Sequence, residues 1–381
     1  MFRKGMMAGV SLILFMLVCP VQGTAQETCR QVKADVCRAV IQLMKQKEEA
    51  VKRRKLDMYL QTIDPKKTFY QQEQKRWFQD AVQVIEPDSY HLKVLSVKPD
   101  REKALRVLVE QTYSARGQKV SVQWPLRLRN TSTGWKDSDL AFDQLGDQRI
   151  TVYYTDPLLK MNAQIAYHTL NKAASMLQKR LGCQPQKIEV KLYHDPNWFR
   201  QSVKPSLPVW AGGWHEAKQS IKLIAVRTDP EQLASGMIHE LTHQVVSELT
   251  HDNAAYWLQE GAAMYYEAHL IPELRVNHHV ELLEKRWPLE DLERTSLEKL
   301  PSEKAHQYYL NSYVWYKELV GEYGEPGVKQ LFANLKKFPY IDMESEFKRE
   351  KLNQRTREAL SKAFCAEEKN IKKGVDLCRG R

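Results

Sequence analysis

The sequence predicts an α+β chain in two unequal parts and a tail: a helix-then-meander unit over about residues 26–145, a larger unit over about 146–340 with a small mixed sheet and a largely helical second half, and a basic helical tail over 341–381. Three observations carry that expectation. Apolar spacing changes from helical to alternating near Tyr90. After Gly146 the pattern restarts as strand, long helix, strand. From Asp229 onward helical spacing dominates, punctuated by Pro288, Pro301, Gly324 and Pro326. Composition agrees: 381 residues at 43% apolar and 28% charged, with 16 Gly and 16 Pro, exclude a disordered, collagenous or repeat-only chain.

The chain opens on Arg3 and Lys4, an uncharged apolar run from Met6 to Val21, and the small residues Gly23, Thr24 and Ala25. This is a secretory signal over 1–25, cut near Ala25/Gln26, and it predicts a secreted or extracytoplasmic protein. The run is shorter than the roughly 18 residues of a spanning helix, and Pro20 breaks its end, which argues against an uncleaved anchor. Cys19 offers a lipoprotein alternative, disfavoured because Val18 stands where that processing prefers a small residue. Five cysteines then remain: Cys29, Cys37, Cys183, Cys365 and Cys378. The close pairs Cys29/Cys37 and Cys365/Cys378 could each staple a terminus outside the cell, although spacing alone does not fix connectivity.

Net charge is +11, and +9 once the two basic residues of the signal are removed. The excess is diffuse. Its densest runs, Lys52 to Lys55 and Lys348 to Arg381, are not interleaved with stacking aromatics, so nucleic acid is not an expected partner. Electrostatic association with an anionic envelope surface is compatible with the charge.

In the first unit, Val32, Val36, Val40, Ile41 and Met44 predict a helix over about 30–53, and Tyr70 to Val84 a second after Asp64 and Pro65. Four strands follow, at His91 to Val97, Ala104 to Tyr113, Val120 to Leu128 and Gly134 to Phe142. Asp57, Asp64, His91 and Asp137 are scattered and read as caps, turns or surface residues, which leaves no acid/base set. The element order, with Leu60-Gln61-Thr62-Ile63-Asp64-Pro65 after the first helix and Gly134-Trp135 opening the last strand, resembles the nuclear transport factor 2-like cone fold. That resemblance implies an accessory or binding unit.

The second unit reads as a strand (Ile150 to Tyr154), a helix (Leu158 to Leu181), a strand (Ile188 to Tyr193) and a short helix near Trp198. Trp210-Ala-Gly-Gly-Trp214 then makes a turn before a strand from Ser220 to Val226. Asp229, Pro230 and Glu231 form a cap and first turn. On the helix they begin, His239 and His243 share one face, with Ala234, Met237, Ile238, Leu241 and Val245 opposite and Gly236 leaving room near the histidines. Two imidazoles one turn apart suit zinc. Glu240 lies about 100° around the helix, positioned for a water rather than the metal. A third ligand at position 249, as in metzincins, is excluded by Val246 and Leu249. Glu260 stands seventeen residues after His243 on a second helix, Tyr256 to Glu267, where Met264 and Glu267 share its face.

His239-Glu240-Leu-Thr-His243 followed by Trp257-Leu-Gln-Glu260-Gly-Ala-Ala resembles the gluzincin metallopeptidases, most closely the compact peptidase-MA-like proteins, over about residues 148–336. The resemblance implies one Zn2+ per chain on His239, His243 and Glu260, with Glu240 as general base toward a peptide or protein substrate. Thermolysin-like members place Asp four residues after the ligand glutamate. This chain has Met264 there, which leaves Glu267 as a candidate to orient a histidine. An oxyanion donor would come from His306, Tyr309 or Tyr313, with Tyr309 preferred. His251 and Asp252 are alternative ligands that read more simply as loop or cap residues, and His278-His279 read as a solvated helix surface. Trp210 and Trp214 either line a cleft or pack a sheet edge. The expected function is an exported zinc peptidase. The alternatives are a non-catalytic exported binding protein on the same fold, and a restrained peptidase that would be more active when cut back to about residue 146.

Overall fold

Helical spacing in the first part of the chain becomes three helices: α1 (Ala34–Lys52), α2 (Leu56–Leu60) and α3 (Thr68–Val84). In α1 the buried face carries Val40, Leu43, Met44 and Val51, and in α3 it carries Tyr70, Trp77, Phe78 and Ala81. A Cys29–Cys37 disulfide ties the incoming chain to the first turn of α1. The computed structural model describes residues 28–226, 229–342 and 346–365. The expected signal at 1–25 with Cys19, the cut at Gln26, and Cys378 lie outside the described residues.

Alternation then gives the antiparallel meander β1 (His91–Pro99), β2 (Leu105–Ala115), β3 (Gln118–Thr131) and β4 (Gly134–Leu140), paired in chain order. In β2, Leu105, Val107, Val109, Gln111 and Tyr113 are buried while the residues between them are not. The last strand stops at Leu140 rather than Phe142. A register shift opposite Leu126 and Leu128, and Asp139 at φ +91°, turn the chain out of the ladder.

β5 (Asp143–Gly146) leaves the meander altogether and pairs with β6 (Ile150–Tyr154), so the second sheet takes its first strand from residues expected to end the first unit. That sheet runs β5, β6, β7 (Ile188–Tyr193), β9 (Ile221–Ile224) and β8 (Gly213–Trp214). β6, β7 and β9 are parallel, and β5 and β8 are antiparallel edges. α4 (Lys160–Leu181) is the crossover from β6 to β7 and ends at Gly182, whose φ of +80° suits a helix stop. α5 (Pro196–Val203) precedes β8. Helices fill the remainder: α6 (Pro230–Thr250), α7 (Tyr256–His269), α8 (Leu289–Arg294), α9 (Ser302–Lys336, interrupted at Gly324) and α10 (Glu346–Leu360). Among the described residues no helix is long and apolar enough to cross a membrane.

The mixed sheet is buried on both faces. Ile150, Val152, Ile188, Val190, Leu192, Ile221 and Leu223 face the core shared with α4 and α6. The alternate residues Tyr153, Tyr193 and Ile224 join the core of the first unit. Two lysines also face that way. Lys191 on β7 and Lys222 on β9 are fully buried, and the first unit neutralises them: Glu73 Oε2 on α3 lies 2.6 Å from Lys191 Nζ and 3.2 Å from Lys222 Nζ, and Asp139 pairs with Lys191. Burial alone would raise the Glu73 carboxyl, but Lys191 and Lys222 pull it down to about 2. Asp137, expected at a turn or the surface, is instead buried, paired with Lys47 and accepting a hydrogen bond from Tyr70 Oη at 3.0 Å. Asp64 is buried beside it and accepts from Ser138 Oγ at 3.0 Å.

The expected tail from 341 is integrated over its described part. Ala359, Leu360 and Phe364 belong to the main core, and Thr356 Oγ1 accepts from the backbone N–H of Ala255, the cap of α7.

The first unit therefore supplies the counter-charges for the sheet that carries the second. A chain begun at residue 146 is expected to show no cooperative unfolding transition and no gain of activity, because the cut removes strand β5 and leaves the apolar face of Tyr153, Tyr193 and Ile224 open to water. In the full chain, Glu73→Ala is expected to cost about 3–5 kcal/mol in urea unfolding; a cost under about 1 kcal/mol would contradict this account.

Candidate metal centre

Asp229 starts α6 as expected: its Oδ1 accepts from the Glu231 N–H at 2.7 Å, with Pro230 in the first turn. Leu233, Met237, Ile238, Leu241 and Val245 anchor the helix in the core. Gly236 serves a different purpose from the one expected. A Cβ there would stand 3.0 Å from Leu223 Cδ2, so this glycine lets α6 settle on β9 rather than making room among the histidines.

The opposite face carries His239 and His243, whose Nε2 atoms are 3.1 Å apart. Glu260 comes in from α7, with Oε2 3.4 Å from His239 Nε2 and 3.3 Å from His243 Nε2. Gly261 permits this approach, because a Cβ there would stand 2.3 Å from the Ser312 carbonyl oxygen on α9. The three atoms form a nearly equilateral triangle. A tetrahedral zinc with ligands at about 2.0–2.1 Å requires edges of about 3.3–3.4 Å, so the donor set fits that ion in both type and spacing. Glu260 Oε2 is shut off from solvent without a hydrogen bond of good geometry, as expected of an atom reserved for a cation. Burial would raise its carboxyl, but His243 and His239 hold it down to about 2.

Glu267, two turns after Glu260, orients the nearer ligand. Its Oε2 lies 3.0 Å from His239 Nδ1, and Ser235 Oγ donates to its Oε1. This turns His239 Nε2 toward the triangle. Burial works against a charged His239, yet Glu260 and Glu267 raise its pKa well above the usual imidazole value. Met264, where a thermolysin-like site has Asp, is buried instead with Leu310 and Tyr313.

Glu240 stands beside the triangle without joining it. Its Oε2 is buried and has no partner, and burial raises its pKa against the opposing pull of His243 and His239. On its other side lies edge strand β8, where a Cβ on Gly213 would stand 2.3 Å from Glu240 Oε1. A larger residue here would require the Glu240 carboxylate to shift.

Of the three tyrosine and histidine candidates on α9, Tyr309 faces the centre, with its ring 6.3 Å from that of His239 and 6.4 Å from that of Trp210. Burial, with Glu260 and Glu240 near, keeps its phenol neutral. His306 is exposed, and Tyr313 packs against His278 with ring centroids 5.0 Å apart. His251 and Asp252 are not in the ligand cluster; Asp252 accepts from Ser247 and Lys348. His279 is exposed beside Glu281, whereas His278 reaches the Met264 carbonyl at 2.7 Å. Trp210 lines the approach to Tyr309, while Trp214 lies under the Lys204 ammonium, 4.4 Å from its ring centroid.

The sequence pattern does not single out His215, directly after β8. Its Nε2 is buried without a partner, and burial together with His243 pushes its imidazole down to about 3. Its place at the end of the Trp210-to-Trp214 turn was the available signal.

Residues 169–346 match the Peptidase MA superfamily. The match spans slightly under half of the chain and takes in α6, α7 and α9, which supports a gluzincin-like peptidase domain there. A comparison with curated proteins finds no match.

Glu267→Ala is expected to weaken zinc binding about 10–100-fold in chelator competition; unchanged affinity would remove Glu267 from the centre. Because the metal-free His239 has a raised pKa, a proton must leave before it can ligate. Zinc affinity should therefore rise with pH, with proton release visible by calorimetry in buffers of different ionisation enthalpy.

Proposed function

We propose that the chain is an exported zinc metallopeptidase hydrolysing peptide bonds, with zinc held by His239, His243 and Glu260. The observation that carries this reading is the triangle of 3.1, 3.3 and 3.4 Å between the three donor atoms, with Glu240 Oε2, which has no partner among the described residues, beside it. A zinc ion bound there would supply Lewis acidity, polarising a carbonyl and lowering the pKa of a water at its open position.

The remaining work falls to the chain's own groups. Edge strand β8 offers an extended peptide a partner for its main chain. Glu240 takes the proton of the attacking water at Oε2 and hands it to the leaving nitrogen, a role suited to a carboxyl whose pKa is raised. The neutral Tyr309 hydroxyl donates to the carbonyl oxygen as charge gathers there. The first unit, which we read as a nuclear transport factor 2-like cone, has its interior filled from the second: Gln201 on α5 accepts from Tyr113 Oη at 2.7 Å and from Gln111 Nε2 at 3.3 Å. It acts as a scaffold in this reading. Export is supported by the sequence of the leader and by the Cys29–Cys37 disulfide, a bond favoured in oxidising compartments.

Glu240→Gln is expected to retain one zinc per chain while turnover of an unbiased peptide library falls about 10²–10⁴-fold. Wild-type turnover in the variant would contradict the assignment of the base. Zinc uptake by the wild type with no cleavage of any library member would favour the binding-protein alternative.

A further inference from the structure

We propose that His215 is a catalytic residue: its Nε2–H donates a hydrogen bond to the scissile carbonyl oxygen and stabilises the charge that develops there, together with Tyr309. This inference rests on the zinc-peptidase reading above.

Side chains along an extended strand alternate between its two faces. The Cβ direction of Gly213 points at Glu240 Oε1, and Trp214 turns away, its ring beneath Lys204 and its Nε1 donating to Glu216 Oε1 at 3.2 Å. Continued one residue past the end of β8, this alternation returns His215 to the face that looks onto the centre. His215 is not in the cluster of metal-ligand atoms, so it has no place in the first coordination set. Its Nε2 is nonetheless closed off from solvent and has no hydrogen-bond partner among the described residues. A buried ring nitrogen without a partner is costly, and native structures retain such groups chiefly where something else completes them. A peptide laid along β8 passes this nitrogen, and its carbonyl oxygen is the acceptor such a donor lacks. Tyr309 stands by His239 on α9, whereas His215 follows edge strand β8, so the two donors come from different elements. A donor aimed at charge that exists fully only in the transition state should act on kcat more than on KM.

The test compares wild type, His215→Ala and His215→Gln in the full zinc-loaded chain; the amide nitrogen of Gln can take the place of Nε2. Four quantities are read: zinc per chain, thermal midpoint, kcat and KM on the best library peptide, and calorimetric affinity for the phosphinic analogue of that peptide, a tetrahedral mimic. The expected result is one zinc per chain in all three, midpoints within a few degrees, and kcat in His215→Ala down about 10²-fold with KM changed less than about threefold. The phosphinic peptide should weaken by a comparable factor, and His215→Gln should recover most of both losses. Wild-type kcat and inhibitor affinity in His215→Ala would overturn the assignment and leave the peptidase reading intact. Loss of zinc from His215→Ala, or a loss that Gln does not recover, would make the residue structural. A wild type that neither cleaves peptides nor binds the phosphinic analogue would overturn the peptidase reading and this assignment with it.

Discussion

The metal centre depends on how closely α7 lies against α9, and that approach is set at Gly261, where any side chain would meet the Ser312 carbonyl at 2.3 Å. Glu260 is the preceding residue, so the helix contact and the third donor are fixed together. Ala262 and Ala263 extend the small surface, both fully buried. With α7 in this position, the helical repeat brings Glu267 to His239 two turns later, and one helix thereby supplies both a candidate ligand and the group that orients another. A second close approach, Gly213 against Glu240, sets the edge strand beside that carboxylate.

The second dependence is electrostatic and acts over a long sequence distance. Central strands of a parallel sheet are covered on both faces, and here one face presents Lys191 and Lys222. Neither could stay there without Glu73 and Asp139, since an unpaired buried ammonium is far costlier than a paired one. Asp139, at a positive φ, is one of the two carboxylates paired with Lys191. The same interface clamps the segment leading to β8: Ser206 bonds Asp80 through both its N–H and its hydroxyl, and Trp198 Nε1 donates to the Gln123 carbonyl at 2.9 Å. The first unit therefore holds the strand that lines the centre, which is a stronger role than tethering.

Much of this was legible because it is encoded locally. The cap at Asp229, the one-turn spacing of His239 and His243, and the shared face of Glu260 and Glu267 follow from helical geometry alone. The strand alternation of the meander and of β6, β7 and β9 was equally direct. What escaped was non-local. Gly236 was placed by its helical face, but its reason is Leu223 on a strand thirteen residues earlier. Asp137 looked like a turn residue because its partner Lys47 is 90 positions away. His215 carries no spacing signature, since a strand end approaches a helix only after the sheet has formed. Lys191 in Ile188-Glu-Val-Lys191-Leu-Tyr193 and Lys222 in Ile221-Lys222-Leu-Ile224 were the sequence signal that an acidic partner surface covers these strands.

The central claim is that His239, His243 and Glu260 hold one zinc ion. X-ray absorption at the zinc edge of the full-length protein carrying one zinc per chain tests it most directly. The account predicts a first shell of nitrogen and oxygen at about 2.0–2.1 Å with outer-shell scattering from two imidazoles, reduced to one or lost in His239→Ala. A sulfur contribution at about 2.3 Å, which would place the metal on a cysteine such as Cys183, or a shell unchanged by the substitution, would contradict it.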